Sequence, residues 1–243
     1  MCQKDAVLTL DKNATSNQIL NLLGEKKRTH FIGQCDLIDV HLGDVLAEAG
    51  DAVQYVYCPT SCVISWETQM VRSTHVLIAL IGNEGMLCMN TLLEVEKMPY
   101  RAVVRKTGQL LRISNKNFIQ QTLQTPALAT ILKHYIFVSY GDAVQTAACN
   151  LFHLLEQRLA RLLMMFSDRS HSNELIITQE LLSQMLGVRR VGVTKAAGIL
   201  QSKHLIHYSR GHVTIEDKLG LTHVACSCYQ KDIDRYHAIM HKQ

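Results

Sequence analysis

An α+β architecture is predicted for this chain on three grounds. Short β-type runs crowd residues 30 to 115, an apolar stripe at helical spacing follows Pro126, and a helix, a glycine turn, a second helix and a hairpin succeed one another after Thr178. They divide the chain into a β-rich unit over 1–125, a long helix over 126–155 and a winged helix-turn-helix over 156–243.

The β-rich unit rests on Phe31-Ile32-Gly33, on Val53 to Tyr57, Val63 to Trp66 and Val76 to Ile81, and on Ala102-Val103-Val104 and Leu110 to Ile113. β-branched and aromatic residues in runs of this length, separated by turn formers, suit a small antiparallel sandwich or barrel. After Pro126 the period changes. Val144, Ala148, Leu151, Leu155, Leu159, Leu162 and Phe166 step by three or four residues, so one apolar stripe runs along a long helix or two consecutive ones. Such a stripe must be covered, either by the chain's own domain or by its twin in a dimer. Periodicity alone does not separate these two.

From Gln179 to Leu186 the chain reads as a short amphipathic helix with Leu182 and Leu186 inward. Gly187 follows where a reversal needs positive φ, and a second helix turns Val193, Ala196, Ala197 and Leu200 inward. Leu205 to Tyr208 and His212 to Ile215, joined through Ser209-Arg210-Gly211, make a hairpin directly behind it. The sum is a winged helix.

Composition narrows the function classes. The 243 residues are 47% hydrophobic, enough to fill a core, which excludes disorder as the main state. Thirteen glycines and three prolines are too few for a fibrous chain, and no apolar run approaches the roughly 20 residues that span a bilayer. The start, Met1-Cys2-Gln3-Lys4-Asp5, has no leader pattern, so a cytoplasmic address without membrane partners is expected, and the eight cysteines read as reduced thiols. No phosphate loop, nucleophile elbow, paired-carboxylate site or H-E-x-x-H helix is found, so the chain is not expected to be an enzyme.

Charge is the functional signal. The net charge is +4, and between Thr178 and Ile215 five cations (Arg189, Arg190, Lys195, Lys203, Arg210) face one acid, Glu180, so this segment carries the whole excess. Cations at a helix start oppose the helix dipole and are not there for helix stability. They are either a solvated face or a grip on an external polyanion, and three of them beside an arginine-bearing hairpin favour the polyanion.

Several segments resemble the cyclic AMP receptor protein/FNR superfamily of bacterial transcription regulators. They are Thr178 to Arg190 with Val193-Thr194-Lys195-Ala196, the wing Ile206 to Ile215, the tail Ala225-Cys226-Ser227-Cys228-Tyr229, and the stretches Gln145 to Asn150 and Leu155 to Leu163. The resemblance implies an N-terminal β-roll of the cyclic-nucleotide-binding type, a dimerisation helix with Val144, Ala148, Leu151 and Leu155 at its interface, and a winged helix that binds palindromic promoter DNA. It implies a homodimer on double-stranded DNA with RNA polymerase as a further partner. Arg189, Arg190, Thr194 and Lys195 would face the major groove, Thr178 and Gln179 the adjacent phosphates, and Arg210 the backbone. Val191 stands where the family's base-reading glutamate is expected, so the half-site should differ from the family's best-known one. In the effector domain, Glu84 and Arg101 are displaced from the ribose-binding and phosphate-binding positions and the serine is absent, so cyclic AMP is not expected as effector and the two side chains would rather end strands or pair at the surface. A winged helix kept as a protein-docking module without a DNA site is the alternative.

No cofactor or metal is expected. Cys2 and Cys35 stand alone and Cys58-x3-Cys62 lacks a third neighbour, unlike an iron–sulfur ligand set. Cys226-x-Cys228 with His237-x3-His241 would make a zinc site only if the tail folded back, and otherwise reads as small thiols and solvated histidines.

Overall fold

The computed structural model describes residues 16–70 and 75–241; Cys2 and the opening of the 1–125 unit lie outside these. Two short helices come first, α1 (Gln18–Asn21) and α2 (Glu25–Ile32). Seven strands follow: β1 (Asp36–Val40), β2 (Val45–Ala47), β3 (Tyr55–Pro59), β4 (Val63–Gln69), β5 (His75–Ile81), β6 (Arg101–Lys106) and β7 (Gly108–Ser114). They build two antiparallel sheets, in the orders β1-β7-β3 and β2-β6-β4-β5. Val56, Cys58, Ile64, Val104, Leu111 and Ile113 alternate into the space between the sheets and form one core with Ile19, Leu20 and Phe118.

One expected strand is a helix. Phe31 and Ile32 close α2, because Glu25, Lys26, Lys27 and Arg28 ahead of them are straight-chain helix formers behind Gly24 at the N-cap. Both residues are buried, so the short apolar run marks a docked helix end.

The strands lead through α3 (Asn115–Gln124) into α4 (Pro126–Phe152), whose first position is the proline, where its missing N–H leaves no bond unmade. α4 stops at His153, and α5 (Leu155–Ser170) starts afresh because Gln157 Oε1 reaches back to accept from the Leu154 N–H at 3.1 Å. The break divides the predicted stripe into two faces. Leu159, Leu162 and Phe166 are buried in the C-terminal core and Leu155 packs against it, whereas Val144 (51% exposed) and Leu151 (79%) stand in solvent with Phe137 and Tyr140 on one face of α4.

The C-terminal part continues with β8 (Glu174–Ile176), α6 (Gln179–Leu186), α7 (Arg190–Ser202), β9 (Ile206–Ser209), β10 (His212–Ile215), α8 (Lys218–Val224) and α9 (Cys228–Met240). The hairpin β9-β10 gains β8 as a third strand, in the order β8-β10-β9. α9 then turns back along α4: Tyr236 and Ile239 pack on the N-terminal core, Met240 is buried in it, and the Tyr236 hydroxyl donates to the Glu84 carbonyl at 2.8 Å. Arg161, itself buried, secures this return by donating to Asp232 at 2.6 Å. Removing one member would strand a buried charge, a loss of about 3–5 kcal/mol. No helix among the described residues is long and apolar enough to cross a membrane.

Candidate nucleic-acid interface

The interface is built from the turn outward. Thr178 caps α6, its Oγ1 accepting from the Leu181 N–H at 3.1 Å. Gly187 has φ +63°, a conformation open to glycine at little steric penalty, and it ends α6 in the reversal that starts α7. Ser183, small and buried, sits on the inner side of α6, while Val193, Ala196, Ala197 and Leu200 turn the other side of α7 into the shared core with Leu182 and Leu186. With those positions inward, Arg190, Val191, Thr194 and Lys195 are outward and exposed.

Arg189 is the N-cap of α7 and makes no side-chain cap bond, Arg190 is the first helical residue, and no acid occupies the first turn. The free N–H groups and two exposed arginines therefore share one helix end, an arrangement unfavourable to the isolated helix by about 0.3–1 kcal/mol per charge and favourable to a bound anion. Among the described residues, no carboxylate pairs with Arg189, Arg190, Lys195, Lys203 or Arg210. Thr194 Oγ1 donates to Gln179 Oε1 at 2.9 Å, which links the two helices. Arg210 takes φ +49° at the tip of the wing beside Gly211 at +84°, exposed on the same part of the molecule: Gly211 packs against Thr178.

The N-terminal unit separates the two side chains expected to meet an effector. Arg101 pairs with Glu48 at 3.0 Å at the surface. Glu84 is half-buried, accepts from the Gly82 N–H, and pairs with Arg169 of α5 at 2.8 Å. The surface pairing expected of Glu84 is thus corrected, because Arg169 arrives from a part of the chain 85 residues away. Glu84 and Arg169 edge a largely apolar cavity of about 280 Å³ between the sheets and α4, lined also by Trp66, Met86, Tyr100 and Tyr135; Arg101 does not line it. Burial and the Glu84 charge push the Tyr135 hydroxyl well above the ordinary tyrosine value, so it is a neutral donor.

The tail does fold back, yet not onto the histidines its spacing suggested. His237 and His241 stack on each other, with ring centroids 5.4 Å apart, while Cys226 and Cys228 meet Cys149 and His153 at the end of α4. Cys149 and His153 lie one helical turn apart and were legible as an i, i+4 pair only by scanning α4 for ligands.

Residues 157–224 match the Crp-like helix-turn-helix domain. No curated protein matches the chain by sequence. Among solved structures it is similar to a crp/fnr-family chain of Eubacterium rectale, with TM-score 0.66, 16% identity and 85% of this chain and 96% of that one covered. It is also similar to the c-di-GMP responsive global regulator CLP of Xanthomonas campestris (0.65, 16%, 79% and 99%). A third likeness is to a CRP/FNR-family transcriptional regulator of Thermus thermophilus (0.61, 18%, 78% and 98%). Residues 157–224 therefore form a Crp-like helix-turn-helix domain, and the whole chain shares the fold of these CRP/FNR-family structures.

Proposed function

We propose that the chain is a non-enzymatic, sequence-specific DNA-binding regulator of transcription that acts as a homodimer on a pseudo-palindromic promoter site. The observation that carries this is the exposed N-terminus of α7, where Arg189, Arg190 and Lys195 stand with no carboxylate partner among the described residues. In this reading Arg190 and Lys195 read base edges, Arg189 and Thr194 line the groove wall, and the first N–H groups of α6 with Thr178 and Gln179 hold a phosphate. Arg210 tracks the backbone from the wing. Val191, exposed on the same turn, offers methyl groups to a thymine where a carboxylate would take a cytosine amine.

The exposed face of α4, with Phe137, Tyr140, Val144 and Leu151 at steps of three, four and seven, supports pairing of two such helices. Ala148 lies at its edge, and Leu155 belongs to the C-terminal core instead. A two-fold axis along α4 would set the recognition helices about 34 Å apart, one DNA turn. RNA polymerase and a cytoplasmic setting complete the proposal, with 1–125 as sensor, 126–155 as dimerisation segment and 156–243 as DNA-binding unit.

The effector is proposed not to be cyclic AMP. The cavity beside α4 is apolar, and its one arginine, Arg169, is already neutralised by Glu84. The deciding test of function is selection from a randomised duplex library. Arg190→Ala should lose roughly 1–3 kcal/mol on the selected site and relax one base pair in each half-site. Even loss over all sequences would refute the base-reading role, and salt-independent binding would favour the protein-docking alternative.

A further inference from the structure

Three cysteines and one histidine from two distant parts of the chain converge where α4 ends. Cys149 lies in the last turn of α4 and His153 is its C-cap; Cys226 lies in the link from α8 to α9 and Cys228 is the first residue of α9. Their four ligand atoms lie within 4.8 Å of one another. Cys149 Sγ is 3.3 Å from Cys226 Sγ, and Cys228 Sγ is 3.5 Å from His153 Nδ1. Zinc with thiolate at about 2.3 Å and imidazole at about 2.0–2.1 Å makes a tetrahedron whose S···S and S···N edges are about 3.8 and 3.6 Å. The cluster comes within about half an ångström of the S···S edge and about a tenth of an ångström of the S···N edge.

We propose that Cys149, His153, Cys226 and Cys228 bind one zinc ion, which fastens the end of α4 to the tail of the DNA-binding unit. The three cysteines are buried and form a small cluster of their own, apart from both apolar cores, and His153 is half-buried at its rim. Gln145 Nε2 donates to Cys228 Sγ at 2.9 Å, a second-layer bond that orients a thiolate ligand. On binding, up to three thiol protons leave to solvent, so zinc, three thiolates and a neutral imidazole carry a net charge of −1. Two cations, Arg158 and Arg161, lie close enough to the thiols to compensate it. No redox partner is needed, because zinc binding exchanges protons for metal without electron transfer.

The test uses the full chain, expressed in zinc-supplied cells and purified under reducing conditions, with metal content by mass spectrometry. About one zinc per chain is expected. Replacement by cobalt should give the intense visible absorption of a tetrahedral thiolate site. In competition with a chromogenic chelator, His153→Ala and Cys228→Ser should each weaken zinc binding by at least about 100-fold, while Cys35→Ser, remote from the cluster, leaves it unchanged. His153→Ala sits at the rim, and circular dichroism checks that it remains folded. A reduced wild-type chain that neither retains zinc nor takes up cobalt would overturn the proposal. So would equal zinc affinity in wild type and folded His153→Ala. DNA binding is not the readout, so failure here is distinct from failure of the regulator reading.

Discussion

Replacing Arg210 by alanine separates phosphate grip from base reading, and the structure sets the size of the effect. Four unpaired cations per subunit, Arg189, Arg190, Lys195 and Arg210, lie on the proposed DNA face. If all eight of a dimer displace counterions from the duplex, whether they end on a phosphate or on a base edge, the slope of log affinity against log salt is about −7, which corresponds to a loss of about 10⁴ in affinity between about 50 and 200 mM salt. Arg210→Ala removes two of these contacts, so the slope should fall by about 2 and the loss over the same range to about 10³. Since Arg210 is exposed and, in the proposed role, would touch the duplex only through its charge, the selected and the scrambled site should weaken by the same factor. Fluorescence anisotropy on both duplexes at four or five salt concentrations measures this. An unchanged slope, or a loss confined to the selected site, would refute the wing assignment.

Leu151→Lys, on the exposed face of α4, should convert a dimer to monomer in sedimentation with an unchanged melting temperature. Leu155→Lys, packed against Gly192 of α7, should instead destabilise the fold by roughly 1–3 kcal/mol, and identical behaviour of the two would contradict the break at His153. In Gly85→Ala the added methyl would fall on the Tyr135 hydroxyl, so a destabilisation of roughly 1–3 kcal/mol is expected, relieved by adding Tyr135→Phe; a neutral single variant would disprove the close approach. The Asp142 carboxyl, although it accepts from Arg235 at 2.7 Å, is pushed from 3.8 up to about 6 by burial and by the neighbouring Asp232. Here the folded chain holds a proton that the unfolded chain releases. Its stabilisation is full below pH 3.8 and falls as pH rises to about 6, by about 3 kcal/mol at most. Asp142→Asn should flatten that part of the urea-midpoint profile, and an unaltered profile would remove Asp142 as the cause.

Local patterns were legible in the amino-acid sequence because they are enforced locally. The spacing of Leu182, Leu186, Val193, Ala196 and Leu200, the reversal at Gly187 and the hairpin through Arg210-Gly211 need only near neighbours, and the structure reproduces them. With those positions inward, the outward direction of Arg190 and Lys195 follows from the helical repeat alone. Five of the seven strands of the β-rich unit were legible for the same reason; β1 and β2 were not, and Phe31 and Ile32 imitate a strand at the end of α2.

Long-range pairing was decided by the tertiary structure. One continuous periodicity from Val144 to Phe166 became a bare face and a buried face because Gln157 restarts the helix at Leu154. Glu84 found Arg169, and Cys226 and Cys228 found Cys149 and His153, across separations of some 70 to 85 residues. A residue type records what its side chain can bond to; which partner arrives is set by the packing of whole helices, here the return of α9 along α4, to which no single segment's pattern refers.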